Sequence, residues 1–469
     1  MGKYSRLGKN TLFVFIGNVG GKALAILMLP LFTRWLSVAD FGVTDMIMTY
    51  ATLLFSLASL SICESAFIFP KGQDKKTQSE YFSSGLFYSC LVFLFIAVVI
   101  SIVENLLRIT TENVLINYRW YIFYMILAMY IENYFQQFTR SIGKIKVYSF
   151  AGIVQSICII IFSFVFIPKY AVLGYVLTWA TAYSLTGLYS FAFSGSYKYL
   201  SLSFVFKSHY WEMLKYSLPL IPNGMMFWLM NSMNRPVMEQ YLGIDSVGIY
   251  ALANKFPIIL TTLFNIFLLS WQISVLEEFK KRDFERFFNQ VFQIVLLLLG
   301  TIFVVISLAN KLIISLTATP AYHEAWKYIS LLTFGSLVFA LSAFVGANFL
   351  ATKESKYFLY SSFGGAIVAV ITNMTFIQLF GIYGAAISII LSSFSMLCLR
   401  LYYASKHTKL HNILQFIITL TLLLAISFIV LIESTWMYSI IFIDFSLMLF
   451  LNRNVFINLK KFLLLLKRK

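Results

Sequence analysis

Charged residues are scarce in this chain, since Asp, Glu, Lys and Arg make up only 12% of 469 residues while 60% are apolar and 18% aromatic. A soluble surface of that size cannot be covered with so little charge, so water is excluded as the main solvent. Cysteine is equally sparse. Cys63, Cys90, Cys158 and Cys398 lie far apart in or beside apolar stretches, without CxxC spacing, which excludes a disulfide framework or a cysteine zinc site and leaves four small buried residues. Histidine is limited to His209, His323, His407 and His411, all in or beside polar breaks. There is no HExxH, no nucleophile elbow, no glycine-rich phosphate loop and no paired acidic motif for a metal-bound nucleotide sugar, so the sequence offers no catalytic centre. Long polar segments are missing too, and an extramembrane catalytic domain has nowhere to sit.

What is present is a succession of apolar segments long enough to cross a bilayer at about 20 residues each. They fall near 11–33, 43–66, 82–103, 119–139, 148–168, 171–193, 216–238, 249–273, 288–310, 327–351, 357–379, 382–403, 412–432 and 436–456, which predicts about fourteen transmembrane helices in an all-α polytopic membrane protein. The basic start at Lys3, Arg6 and Lys9 precedes an apolar stretch too long for a cleavable signal, so it reads as the retained first span.

The formal charge of +17 has a topological explanation. Counting alternate breaks, 27 Lys and Arg fall on one side of the membrane, and only Arg34, Arg108, Arg119, Lys169, Lys311 and Lys327 fall on the other. Positive residues accumulate on the cytoplasmic side, so both termini are predicted there and the span number must be even. The basic residues are scattered in ones to fours along short loops, which argues against a nucleic-acid-binding stripe.

The chain also repeats. Trp35-Leu36 followed by Phe41-Gly42-Val43 recurs as Tyr241-Leu242 followed by Val247-Gly248-Ile249, an offset of 206; Lys146 and Leu173-Gly174-Tyr175 recur as Lys356 and Tyr383-Gly384-Ala385, an offset of 210. Six spans per copy is an even number, so the copies share one orientation: two parallel six-helix bundles, expected to surround a central cavity used by alternating access. The predicted organisation is an N-terminal bundle over 1–200, a C-terminal bundle over 201–410, and an extra helix pair with a basic cytoplasmic tail over 411–469.

Ionisable residues within spans are costly against lipid and point to interior sites. Lys22 lies near the middle of span one with Asn18 one turn before it; Arg235 lies toward the outer end of span seven with Asn231 one turn before it; Lys255 follows in span eight beside Asn254. Snorkelling to the outer headgroups is an alternative reading for Arg235 and Lys255, and pairing with a carboxylate such as Glu132 for Lys22. Asp45, Glu64 and Glu132 are the acidic candidates for offsetting these cations or coupling an ion. Glu132, Asn133, Gln136 and Gln137 form a polar patch that helix-to-helix hydrogen bonding explains as well as ligand binding does. Pro30, Pro219, Pro222, Pro236 and Pro257 remove backbone hydrogen bonds in the same helices that carry the cations, which suits gating segments.

Several of these segments resemble a known family. Asn10-Thr11-Leu12, Asn18, Leu29-Pro30-Leu31-Phe32-Thr33-Arg34-Trp35-Leu36 and Asp40-Phe41-Gly42 look like the opening of bacterial polysaccharide repeat-unit flippases, the Wzx-type members of the MOP (multidrug/oligosaccharidyl-lipid/polysaccharide) exporter superfamily. Tyr216-Ser217-Leu218-Pro219-Leu220-Ile221-Pro222-Asn223, Trp228, Asn234-Arg235 and Val247-Gly248-Ile249-Tyr250-Ala251 resemble the start of that family's second bundle, and Asn373 with Gly381-Ile382-Tyr383-Gly384-Ala385-Ala386 its eleventh and twelfth helices. Asn234 departs from the pattern, because family members often carry an acidic residue there.

The resemblance implies a fourteen-helix protein of the bacterial inner membrane that moves an undecaprenyl-diphosphate-linked oligosaccharide outward for O-antigen or capsule assembly. Lys22, Arg235 and Lys255 would face the diphosphate, and Asn18, Asn231 and Tyr50 the sugar. The expected partners are that lipid-linked substrate, membrane lipids, a polysaccharide polymerase and a chain-length regulator; no cofactor is expected, and the cycle could draw on a sodium or proton gradient. A MATE-type multidrug exporter and, from another class, a membrane glycan polymerase or ligase are the rival readings.

Overall fold

The computed structural model describes residues 27–107, 113–201, 209–352, 354–432 and 436–453. Among them the regular structure is helical throughout, with short 3-10 turns between α-helices. This is the arrangement that lipid permits an unclosed chain, because a helix satisfies its own backbone groups. Helix occupies each expected span from the second to the fourteenth; of the first, only the end is described. Nine helices among the described residues are long and apolar enough to cross a membrane, and one of these, Ile145–Ser194, is 50 residues long and contains two expected spans.

The chain forms two compact units, Met1–Trp228 and Leu229–Lys469. The described part of the first begins with α1 (Leu29–Trp35), with Pro30 in its opening turn. Helix α2 (Val38–Ala58) starts at a capping box: the Ser37 hydroxyl accepts from the Asp40 amide at 3.1 Å, and Asp40 accepts from the Ser37 amide at 3.3 Å. The Asp40-Phe41-Gly42 motif therefore includes the residue that fixes where this helix begins. Leu60 and Ser61, with φ of +49° and +52°, break the span before α3 (Ile62–Ile68). Next come α4 (Lys75–Leu107), α5 (Val114–Asn117), α6 (Arg119–Ser141) and α7 (Ile145–Ser194). Helices α8 (His209–Ser217) and α9 (Leu220–Asn231) lead into the second unit.

That unit contains α10 (Asn234–Leu242), α11 (Ile244–Ala253), α12 (Pro257–Glu278), α13 (Phe284–Thr317), α14 (Trp326–Gly346), α15 (Asn348–Thr352), α16 (Ser355–Phe380), α17 (Ile382–Ala404), α18 (Ile413–Ile429) and α19 (Met437–Leu451). Helix α14 is its core, with 83% of its most apolar stretch buried. Trp271 of α12 donates to the Phe344 carbonyl of α14 at 3.1 Å and stacks on the Phe344 ring.

The repeat is visible in the backbone. Within α7 the chain turns at Ala171 (φ 44°, ψ −115°), and between α16 and α17 it turns at Gly381 (φ 60°, ψ −137°), 210 positions on. Three residues after each turn stands a glycine with no room for a side chain. A Cβ on Gly174 would strike the carbonyl of Phe166, and one on Gly384 the carbonyl of Phe376. The two Gly-containing motifs thus serve one purpose, letting a helix leave immediately alongside the helix before it.

Candidate functional site

Helix breaks position the cations of the second unit. Expected span seven divides into α8, α9 and α10, with turns at Leu218–Pro219 and at Ser232–Met233. Pro236 falls in the first turn of α10, where its missing N–H leaves no carbonyl unsatisfied. Asn234 and Arg235 open that turn and are buried, at 1% and 8% exposure. The Arg235 Nη1 donates to the Asn231 carbonyl at 3.0 Å and to Asn234 Oδ1 at 3.4 Å, and its guanidinium lies 5.1 Å from the centre of the Tyr250 ring. Asn234 Nδ2 donates in turn to the Tyr250 hydroxyl. The residue that departs from the family pattern therefore holds Arg235 and Tyr250 together through a neutral amide. Span eight is also broken: α11 ends at Ala253, Asn254 to Phe256 form a turn, and Pro257 begins α12. Lys255 sits in that turn, half-buried, beside the C-terminal end of α11 whose dipole favours a cation.

In the first unit the polar groups are acidic and aromatic. Glu132 of α6 is half-buried, and its Oε1 accepts from Gln136 Nε2 at 2.7 Å and from Gln155 Nε2 at 3.3 Å. Gln136 is one turn along the same helix, whereas Gln155 comes from the first half of α7. On the second half of α7, Tyr175, Trp179 and Tyr183 follow one another at single turns, with ring centres 6.0 and 5.9 Å apart. Asp45 is half-buried on α2. The backbone fits closely here, for a Cβ on Gly187 would come within 2.8 Å of the Ile131 carbonyl.

The remaining candidates are spread more widely. Lys22 and Asn18 lie outside the described residues. Tyr50 is buried in α2 at 7% exposure. Glu64 is exposed on the short helix α3. Pro30 opens α1 and Pro257 opens α12, while Pro219 lies in the turn before α9 and Pro222 in that helix's first turns.

Sequence reasoning missed two residues. The charge pattern groups Arg400 with the cytoplasmic loops, yet it is 1% exposed: Nη1 donates to the Ser342 carbonyl at 2.9 Å, Nε to Ser361 Oγ at 3.2 Å, and the guanidinium packs 4.3 Å from the Phe358 ring centre. It ties α17 to α14 and α16. Asp444, midway along α19, is 8% exposed, and its Oδ2 has no hydrogen-bond partner among the described residues. A carboxylate within so apolar a segment was the signal that could have found it.

A many-span helical fold with a repeated turn, broken helices and buried charges is the architecture of a polytopic membrane protein. Residues 7–271 match the family model described as polysaccharide biosynthesis protein, and the chain belongs to that family. Its fold is shared with the structure "Lipid II flippase MurJ, inward closed conformation", at a TM-score of 0.70 and 15% identity over 96% of this chain and 99% of that one. An inward-facing multidrug resistance MATE family transporter of the MOP superfamily is similar at a TM-score of 0.66 and 15% identity, over 82% of this chain and 94% of that one. The outward-facing form of a MATE transporter gives 0.57 and 14%, over 85% and 95%. No curated protein matches the chain in sequence.

Proposed function

We propose that this protein is a flippase of the bacterial inner membrane, with both termini in the cytoplasm, that translocates an undecaprenyl-diphosphate-linked oligosaccharide repeat unit by alternating access. Family membership supports a role in polysaccharide biosynthesis, and the product would be an O-antigen or capsule. The observation that carries the substrate class is Arg235, a buried guanidinium within a membrane segment, beside Asn231, Asn234 and Tyr250. A diphosphate leaving water needs charge-assisted donors, and Arg supplies a fork while Lys22 and Lys255 supply point charges. Sugar hydroxyls need amide and aromatic partners, the roles given to Asn18, Asn231 and Tyr50. Polymerase and chain-length regulator would act on the product.

Glu132, with Asp45 and Glu64 as further candidates, would couple the cycle to a sodium or proton gradient. Glu132 accepts from two neutral amide donors, which suits a group whose charge changes. The proline-marked breaks at 30, 219, 222 and 257 would absorb the bending.

The aromatic ladder of α7 and the half-buried Glu132 carboxyl on α6 also favour a second reading, a MATE-type exporter of cationic drugs. Complementation separates the two. In a bacterium lacking its own repeat-unit flippase, wild type should restore surface polysaccharide, and Lys22→Ala and Arg235→Ala should not at matched membrane levels. Export of a cationic dye, without rescue across hosts carrying several repeat units, would establish the drug exporter. Polymerisation by the purified protein in liposomes would instead reveal a glycan polymerase.

A further inference from the structure

The first unit contains a groove of about 710 Å³ that none of the roles above uses. It runs between α2, α4 and α6, and its walls are almost entirely aliphatic and aromatic, including Leu57, Ile96, Val99 and Phe123. Arg119 is the one charged side chain among the described residues that line it. Its Nη1 donates to the Ile116 carbonyl at 2.6 Å, which holds the guanidinium at one end of the groove.

Two observations set the depth of that end. Arg119 falls in the sparsely charged, outer set of breaks, and the residues around it form an aromatic belt. Tyr118 and Tyr121 lie 5.5 Å apart between ring centres, Trp120 and Phe123 5.9 Å, and Trp120 and Tyr124 are 40% and 38% exposed. Such belts sit at headgroup level. From Arg119 the groove follows α6 down to Ile126, two turns or about 10 Å at the helical rise, which covers most of one leaflet's half of the roughly 30 Å hydrocarbon core. On its α4 side the neighbouring surface is open to lipid, with Leu94 and Phe95 at 62% and 67% exposure.

We propose that this groove binds an anionic glycerophospholipid of the outer leaflet, its phosphate on Arg119 and an acyl chain along α4 and α6. The cation lies at phosphate depth and the apolar slot at acyl depth, so the parts of the site follow the parts of such a lipid. One guanidinium matches one phosphodiester. The inference does not depend on the identity of the transported cargo.

Native mass spectrometry of the purified full-length protein, with phosphatidylglycerol and phosphatidylethanolamine of identical chains, tests it. One surface cation contributes about 1 kcal/mol toward anionic lipid, or roughly fivefold in retention. Wild type should favour phosphatidylglycerol by about that factor, Arg119→Gln should lose the preference, and Arg119→Lys should keep most of it. Val99→Trp, at a position 39% exposed and therefore tolerant of substitution, should fill the groove and lower retention of both lipids. Equal retention by wild type, or a preference that survives both Arg119→Gln and Val99→Trp, would overturn the proposal. Displacement of phosphatidylglycerol by equimolar undecaprenyl phosphate would also overturn it, assigning the groove to the polyprenyl carrier.

Discussion

The two units carry the same turn and opposite chemistry. At 171 and 381 the backbone takes nearly the same left-handed conformation, and three residues later Gly174 and Gly384 each press against a carbonyl eight residues back. Helix pairing is thus repeated from one unit to the other. The polar interiors are not. The described interior of the first unit holds carboxylates, amides and a Tyr-Trp-Tyr ladder, whereas that of the second holds Arg235, Lys255 and Arg400 among amides, serines and rings, with the carboxyl of Asp444 on α19. Backbone geometry therefore records the repeat, and side-chain charge records what each copy does. In a flippase Arg235 and Lys255 of the second unit would grip phosphate together with Lys22 of the first, while Glu132 would answer to an ion.

The largest expected effect breaks the shared turn. Gly384→Ala would drive a Cβ into a backbone carbonyl that cannot rotate away, costing about 3 kcal/mol, and Gly174→Ala should do the same in the first unit. Thermal unfolding of the purified protein would register both, and a loss from one only would mean that the turns are not equivalent.

Breaking the difference between the units comes next. Arg235→Ala removes a buried charged donor worth about 1.5–3 kcal/mol, so transport should fall about 10- to 100-fold with insertion intact. Arg235→Lys should be intermediate, keeping charge without the fork. Glu132→Gln keeps the shape of the amide cluster, so the protein should fold normally. Its transport rate in proteoliposomes should stop responding to an imposed sodium or proton gradient; an unchanged response would remove Glu132 from coupling.

Exchanging the two turn residues sharpens the comparison at lower amplitude. Ala171 carries a φ that glycine adopts without strain, so Ala171→Gly should stabilise by about 1 kcal/mol and Gly381→Ala should destabilise by at least that much. Calorimetry on the pair would check the opposite signs.

The smallest effect lies in the loop between α3 and α4. Hydrogen bonding from Thr77, its side chain above all, holds the exposed Asp74 carboxyl below its ordinary 3.8. A lowered carboxyl contributes stability above its unfolded value and loses it as pH falls through the folded one. Asp74→Asn should therefore narrow the stability difference between neutral and strongly acidic pH, which unfolding midpoints at pH 7 and pH 3 would measure.

Much of the fold was legible because lipid imposes simple demands: apolar runs of bilayer length and prolines near helix starts. The Ser37 cap and the Gly174 and Gly384 turns could likewise be found as short motifs. Arg400 could not, since a cation at the end of a span looks the same whether it reaches the loop or turns inward onto Ser342, Ser361 and Phe358. Nor does periodicity reveal that Gln155, 23 positions away, would join Gln136 on Glu132, because that contact depends on how α6 lies against α7. Ala171 in a left-handed turn defeats propensity altogether: only its counterpart, Gly381, advertises the conformation.

The central claim is that a buried cationic site in the second unit carries a lipid-linked diphosphate across the membrane. Reconstituting wild type, Arg235→Ala and Arg235→Lys at equal density, and following a fluorescent undecaprenyl-diphosphate oligosaccharide from one leaflet to the other, tests it most directly. The account predicts rapid movement by wild type, slower movement by Arg235→Lys and movement about 10- to 100-fold slower than wild type by Arg235→Ala. Movement by Arg235→Ala at the wild-type rate, or none by wild type, would contradict it.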